Sequence, residues 1–241
     1  AYYGDLAYSV VHWVTALGAG DMRHDSSRMQ ERYPQVFPEG FVSLPDDDRR
    51  LLDLSSVLFQ EHDASMYTRL DRAFLGLTPS WGELRLGRQA VTWGNGFVFN
   101  PMDVFNPFTP TDIIRDYKPG DDMLWASIPI GESFVDMVMV GRRNPDEGRA
   151  EFTHFTTGAR YSFYWSETNF DLIALRHYTD VITGIAASGY VGNAAWRADM
   201  TMTVLDEPSR DTRVYLSAVA NLDYSWVWFG KNWYGFVELY Y

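Results

Sequence analysis

The feature that most constrains the fold is an alternation of apolar and polar residues over unusually long stretches. In residues 194–204 and 214–228, apolar side chains occupy nearly every second position. Because successive side chains of a β-strand point to opposite faces, each stretch predicts a strand with one apolar and one polar face. At roughly 3.3 Å per residue the second stretch exceeds 40 Å. Strands of soluble domains usually end after five or six residues.

Other stretches extend this pattern along the chain. Residues 153–165 and 233–241 alternate in the same way, and eight less regular stretches bring the expected total to eleven or twelve strands. These eight are residues 2–14, 50–59, 65–77, 83–93, 123–130, 134–142, 170–178 and 183–191. Gly87 interrupts the alternation between Arg85 and Arg88, which predicts a β-bulge.

The connections between these strands alternate in length. Short turns of two to four residues fall at 78–80, 130–133, 166–168, 192–193 and 230–232, and longer polar connections fall at 94–122, 144–151, 179–182 and 206–212. Tight turns on one side and longer loops on the other are typical of outer-membrane barrels. We therefore expect residues 1–241 to form one antiparallel up-and-down transmembrane β-barrel of about 12 or more strands in a bacterial outer membrane. Residues 18–48 and 94–122 are expected to be long loops, external or folded into the lumen.

Composition agrees with this expectation and narrows the partners. The chain contains no run of 18 uncharged apolar residues, which argues against a spanning helix. Its aromatic content of 16% suits a barrel with rings at the two membrane interfaces. A net charge of −12 argues against nucleic acid, and the absence of cysteine excludes disulfides and thiol chemistry. All basic residues except Lys118 and Lys231 are arginine, which suits a wall of paired charges.

The two ends of the chain lead to a further expectation. The chain opens without a signal peptide, which fits a mature or truncated product. Complete bacterial barrels have an even strand count and both ends in the periplasm, whereas the last strand here would end outside. We therefore expect a fragment of a longer barrel, although the alternate apolar residues before Tyr241 resemble the C-terminal assembly signal of outer-membrane proteins.

A narrower resemblance is carried by three stretches: residues 87–96 (GRQAVTWGNG), 99–108 (FNPMDVFNPF) and 115–123 (RDYKPGDDM). They resemble a motif of uncharacterised porin-like proteins of Gram-negative bacteria, and the strand pattern of the whole chain resembles porins and related outer-membrane barrels. The resemblance implies a location rather than a substrate, and it brings no catalytic residues with it.

The loop that contains this motif is a candidate functional element. Two Asn-Pro pairs stiffen it, since proline fixes its own φ and restricts the residue before it. An ordered connection of 29 residues is usually functional. We expect it either to pack over the barrel mouth or to act as a lumen constriction or partner-docking loop, with candidate residues Asn100, Asp103, Asn106, Arg115 and Asp116.

The polar strand faces provide the second set of candidates. We expect them to line the interior, where they either fill a closed lumen with salt bridges or face water. The candidates are His154, Arg160, Arg197, Asp199, Thr201, Asn221, Asp223 and Glu238. No catalytic, cofactor or metal site is expected. Residues 94–96 lack the Lys and Ser/Thr of a phosphate loop, and the histidines lack zinc-site spacing. No serine stands in a nucleophile elbow.

These patterns favour a porin-like channel for small solutes, in which mixed Arg and Asp/Glu on facing walls select solutes by charge. The main alternative is a structural sleeve or scaffold around a partner, such as an electron-conduit cytochrome or an assembly complex. An outer-membrane enzyme acting on lipid and a soluble β-sandwich or propeller are further alternatives. Expected partners are outer-membrane lipid and other outer-membrane or periplasmic subunits, with no cofactor.

Overall fold

The described part of the chain forms one antiparallel β-sheet. The computed structural model describes residues 4–16, 49–60, 64–105, 118–144, 147–209 and 212–241. Within them the strands are β1 (Gly4–Ala16), β2 (Ser55–Gln60), β3 (Ala64–Leu77), β4 (Glu83–Gln89), β5 (Asp121–Ile130), β6 (Ser133–Val140), β7 (Thr156–Trp165), β8 (Thr168–His177), β9 (Asp180–Val191), β10 (Ala194–Ser209), β11 (Thr212–Trp228) and β12 (Lys231–Tyr240). A 3₁₀ turn, Phe152–His154, precedes β7. The predicted all-β, up-and-down architecture is confirmed.

The strands follow one another across the sheet in chain order. From β3 to β12 each strand pairs with the next, β1 pairs with β3, and β2 also pairs with β3. Among the described residues β1 pairs only with β3 and β12 only with β11, so the sheet is open at both edges. Closure into a barrel therefore stays a prediction, and the predicted long loop 18–48 lies outside the described residues. No helix in the described ranges is long and apolar enough to cross a membrane.

The register of the ladders separates the sheet into two faces of opposite character. Asp136 lies opposite Arg160, and Asn221 lies opposite both Arg197 and Glu238, so polar residues of neighbouring strands share one face, here called the inner face. The other, outer face is apolar and exposed. Met200, Leu216 and Leu222 keep 50%, 57% and 45% of their surface accessible. No second layer of described residues covers them, as the alternation predicts.

The inner face also holds the hydrophobic core. Trp93, Met102 and Phe105, from the segment that follows β4, pack in one buried cluster with Val140 of β6, Ile173 and Leu175 of β8, and Ile182 of β9. The same segment contacts Arg160 of β7 and Glu238 of β12. A flat sheet would spread β7 to β12 over roughly 24 Å. The strands therefore curve around this short segment, with the inner face concave.

A seam in the sheet marks the place where the segment departs. The C-terminal half of β3 pairs with β4, and its N-terminal half pairs with β2 on the same side. At the junction the Arg88 guanidinium donates to both carboxylate oxygens of Asp122 (2.9 Å each) and to the carbonyls of Leu70 (3.2 Å) and Leu52 (2.5 Å). Asp122 in turn accepts the Leu52 N–H at 2.8 Å. These side-chain hydrogen bonds satisfy backbone groups at the junction that would otherwise pair with β4.

Gly87, beside Arg88, does not form the predicted bulge. It stays in register with Phe74 of β3 and Met123 of β5, so the prediction was wrong. Its backbone has φ +130°, and a Cβ there would lie 2.3 Å from the Ala73 carbonyl oxygen. Glycine interrupts the alternation because of this φ and the close approach of β3.

We predict that replacing Arg88 destabilises the sheet strongly. Arg88 and Asp122 are 1% and 4% exposed, so Arg88→Met would leave a buried carboxylate without its cation. We expect a loss of about 3–5 kcal/mol in the free energy of unfolding, measured by urea denaturation. The control is Glu83→Gln on the same strand. It removes one charge of an ion pair with Arg85 in which both side chains are 37% exposed, and it should cost about 1 kcal/mol or less. Equal losses in the two variants would contradict the seam's importance.

Candidate functional site

The segment from Ala90 to Phe105, here called the inner loop, turns from the end of β4 onto the inner face. Its glycines permit close packing. Gly94 has φ +89°, and a Cβ there would lie 2.2 Å from the Asn100 Oδ1 and 2.9 Å from the Asp199 Oδ2. A Cβ on Gly96 would lie 1.8 Å from the Phe99 carbonyl oxygen. The Gly-Asn-Gly sequence is thus a tight turn against the wall.

Asn100 and three buried apolar residues hold the loop's own shape. The Asn100 side chain donates to the Trp93 carbonyl (3.0 Å) and accepts the Met102 N–H (3.2 Å). Trp93 and Phe105 meet edge to face with ring centroids 4.8 Å apart. Because Pro101 fixes its own φ and restricts Asn100, the loop is pre-formed as well as packed.

Asp199 and Asn221 form the first anchor between the loop and the wall. The Asp199 carboxylate accepts the backbone N–H of Asn95 at 2.5 Å and its side-chain amide at 3.1 Å. The Asn221 amide donates to the Asn95 carbonyl (3.2 Å) and to Glu238 (3.3 Å). These bonds satisfy backbone groups that the loop would otherwise bury without partners.

Glu238 forms the second anchor through three consecutive backbone amides. Its Oε2 accepts the Phe97 N–H at 2.6 Å, and its Oε1 accepts the N–H groups of Val98 (3.0 Å) and Phe99 (2.9 Å). Two aromatic contacts flank this point: Phe97 meets Phe236 edge to face at 5.3 Å, and Phe99 stacks on Tyr240 at 4.8 Å. Charge-assisted bonds of this kind are stronger than neutral ones.

Arg197 completes this part of the site. Its guanidinium bonds to the Asp223 carboxylate and, at 3.2 Å, to the Asn221 Oδ1. It also lies over the Phe97 ring, 4.6 Å from the centroid. Strands β10–β12 thus bring together five of the predicted lining residues, and these residues hold the inner loop. They are Arg197, Asp199, Asn221, Asp223 and Glu238.

The remaining predicted residues fall in different places. Thr201 is buried on the inner face of β10, and Arg160 pairs with Asp136 on the inner face of β7 and β6. His154 was wrongly predicted as a wall residue of a strand. It lies in the 3₁₀ turn before β7, 3.4 Å from Glu151, because the chain reaches extended pairing only at Thr156. Asn106, Arg115 and Asp116 lie outside the described residues.

A buried ion pair and two further hydrogen bonds tie both ends of the inner loop to Lys118, three residues before β5. Lys118 donates to the Asp103 carboxylate, to the Val91 carbonyl (2.6 Å) and to the Thr92 hydroxyl (3.3 Å). Burial raises the pKa of Asp103 and lowers that of Lys118, while each charge opposes the shift of the other. Each buried charge is therefore stabilised by its partner. The Asp103–Lys118 pair, here called the clamp, fixes the position of the inner loop.

A second group of buried charges next to this clamp was missed from the sequence. Asp121 accepts a hydrogen bond from Arg142 at 2.8 Å and lies 3.6 Å from Arg50. Asp71 contacts Arg69 and Arg72, each at 3.4 Å. The excess of arginine over lysine was the available signal. Which arginines pair depends on strand register, which the sequence did not supply. In the described ranges no group of three or more His, Cys, Asp or Glu is placed to hold a metal ion.

Comparisons of the chain with protein-family models, with curated proteins and with solved structures find no match. The sheet and the inner loop together provide a concave wall of fixed charges and aromatic rings, with the loop held against the wall by carboxylates.

We predict that Asp103 and Lys118 are energetically coupled. Asp103→Leu or Lys118→Met alone leaves one buried charge, so each should lower the free energy of unfolding by about 3 kcal/mol or more. The double variant removes both charges and should be more stable than the sum of the single losses implies, by about 2 kcal/mol. Urea denaturation of the four proteins measures the cycle. Additive losses would show that the two side chains do not form a clamp.

Proposed function

We propose that this chain is all or much of a β-barrel of the Gram-negative outer membrane that works as a porin-like channel for small solutes. The inner loop would form its constriction. One observation carries the proposal: the sheet presents a continuous exposed apolar face outward, and a concave face that carries fixed charges inward. A membrane-spanning barrel with a wet interior requires this distribution.

The extent of the outer face supports a hydrocarbon environment. Exposed large apolar side chains recur at alternate positions on β8 to β12, as illustrated by Leu172, Ile185, Met200, Leu216 and Val237. Soluble monomers rarely expose a contiguous apolar patch of more than a few hundred Å². In water this face would drive association, whereas in a bilayer it is already solvated by acyl chains.

Exposed aromatic rings at the end of the sheet that carries the β3–β4, β7–β8 and β11–β12 turns also support membrane placement. Trp81 lies in the turn between β3 and β4, Trp165 ends β7, and Trp228 and Trp233 flank the turn between β11 and β12. In an up-and-down sheet these turns lie at the same end. Tryptophan is enriched at membrane–water interfaces because its ring has an apolar body and a polar N–H. We infer that this end lies at one interface.

The inner face carries fixed charges that can act on a passing solute. Arg160 and Arg197 remain partly exposed there, each paired with an aspartate, Asp136 and Asp223. Pairs of this kind place opposite charges at defined positions along the wall, which selects solutes by charge and orientation. The proposal also requires that the open edges of β1 and β12 find partners in the assembled protein, because unpaired backbone groups are too costly in lipid.

Reconstitution in a planar bilayer tests the channel. We expect the folded protein to produce discrete conductance steps. A loop-loosening variant, Asp199→Ala, should produce larger steps because the loop loses its anchor at Asn95. Absence of conductance from folded protein in the bilayer would reject the channel proposal.

Cysteine labelling tests which face meets the lipid. Phe236 and Val237 are neighbours in β12 with similar exposure, 51% and 55%, but they point to the inner and outer face respectively. The natural chain has no cysteine to interfere. In proteoliposomes we expect a charged, water-soluble thiol reagent to modify Phe236→Cys and to leave Val237→Cys unmodified. A sheet in water would react at both positions, and that result would contradict membrane insertion.

A protein partner in the lumen is the second candidate function, and one observation favours it. Phe97, Val98, Phe99, Phe236 and Tyr240 form an apolar inner patch that is about half exposed. An exposed apolar patch of this kind is unusual on an inner face that meets water, and it suits contact with a docked subunit. Purification from native membranes separates the two functions: a stoichiometric partner supports the sleeve, and a conducting barrel without a partner supports the channel.

A further inference from the structure

The amides that bind Glu238 form a ready-made anion site. Residues 97–99, here called the amide cradle, direct three consecutive N–H groups at one carboxylate, with N···O distances of 2.6–3.0 Å. Converging backbone N–H groups favour anions because their partial positive charges add. The two carboxylate oxygens divide the donors, one to Oε2 and two to Oε1, so the arrangement fits a planar group with two oxygens.

The cradle lies at the surface of the inner face. Phe97, Val98 and Phe99 are 42–44% exposed, and their hydrogen bonds to Glu238 are exposed as well. The Arg197 guanidinium, which is paired with Asp223, stands over the Phe97 ring beside the amides. A solute on the inner face therefore meets the cradle together with a cation and with exposed aromatic rings.

We propose that the amide cradle is a carboxylate-binding site of which the Glu238 side chain is the resident ligand, and that a carboxylate solute binds there in its place. This inference rests on the proposed function, because it names the class of solute that the inner face recognises. Glu238 is tethered, so a free carboxylate competes only above the effective concentration that tethering gives this side chain. Exchange between the two ligands would loosen the inner loop from the wall.

A variant that lacks the Glu238 carboxylate tests the proposal directly. In Glu238→Ala the amides of residues 97–99 lose their acceptor, and we expect their hydrogen exchange to accelerate roughly 10- to 100-fold relative to wild type. Acetate at roughly 100 mM should restore the protection, and chloride at the same ionic strength should not. Exchange is measured by mass spectrometry on the full chain, and Glu83→Ala is the matched control, since Glu83 binds a side chain, Arg85, instead of backbone amides.

A second variant keeps the test decisive if Glu238→Ala folds poorly. Glu238→Gln preserves the side-chain size but removes the charge, so the same three amides should exchange faster than in wild type, and acetate should not slow them because the amide group still fills the site. Wild-type exchange rates in Glu238→Gln, or no acetate-specific protection in folded Glu238→Ala, would overturn the carboxylate site. Neither measurement depends on conduction, so failure of the carboxylate-site proposal can be distinguished from failure of the channel proposal.

Discussion

The structure depends on an inversion of the usual burial order, because the polar face of the sheet is the enclosed one and the apolar face is exposed. Alternation along the long strands fixes this arrangement, since a shift of one residue would move every side chain to the other face. A sheet of this kind must find apolar surroundings for its outer face and partners for the polar groups that it encloses. The second requirement is greatest on β10 to β12, whereas inner positions of β6 and β8, such as Val140 and Ile173, are apolar and pack with Trp93, Met102 and Phe105 of the inner loop.

The second requirement is met by matching charged side chains to backbone groups. A loop that leaves the sheet and packs on its inner face brings N–H and C=O groups that no ladder satisfies. Asp199 and Glu238 accept hydrogen bonds from the N–H groups of the loop, and Asn221 and Lys118 donate to its carbonyls. At the seam, Arg88 donates to the Leu52 carbonyl. Charged side chains of this protein therefore bond to backbone groups at the points where the regular hydrogen bonding of the sheet ends.

Much of the fold follows from the sequence alone, because alternation is a local signal that every strand repeats. The expected strands over residues 65–77 and 194–204 correspond to β3 and β10, and the polar faces of β10 to β12 were assigned correctly down to Asp199 and Glu238. Local signals failed where backbone geometry or long-range pairing decides. Gly87 has a positive φ but no bulge, His154 lies in a 3₁₀ turn, and the pairing of Arg88 with Asp122 depends on the register of β4 with β5.

Several residues of the motif stretches 87–96 and 99–108 determine the path of the inner loop. Gly87 and Arg88 end the pairing of β4, Gly94 and Gly96 let the chain approach the wall, and Asn100 and Asp103 fix the returning part of the loop. Each of these residues serves the path of the backbone, and their polar atoms are already bonded within the protein. Phe97, Val98 and Phe99 of the cradle, Arg197 and the aromatic rings of β12 remain partly exposed on the inner face, and under the proposed function these are the groups that a solute would meet. Specificity in this sheet would then change through the wall residues of β10 to β12, while the motif keeps the loop in place.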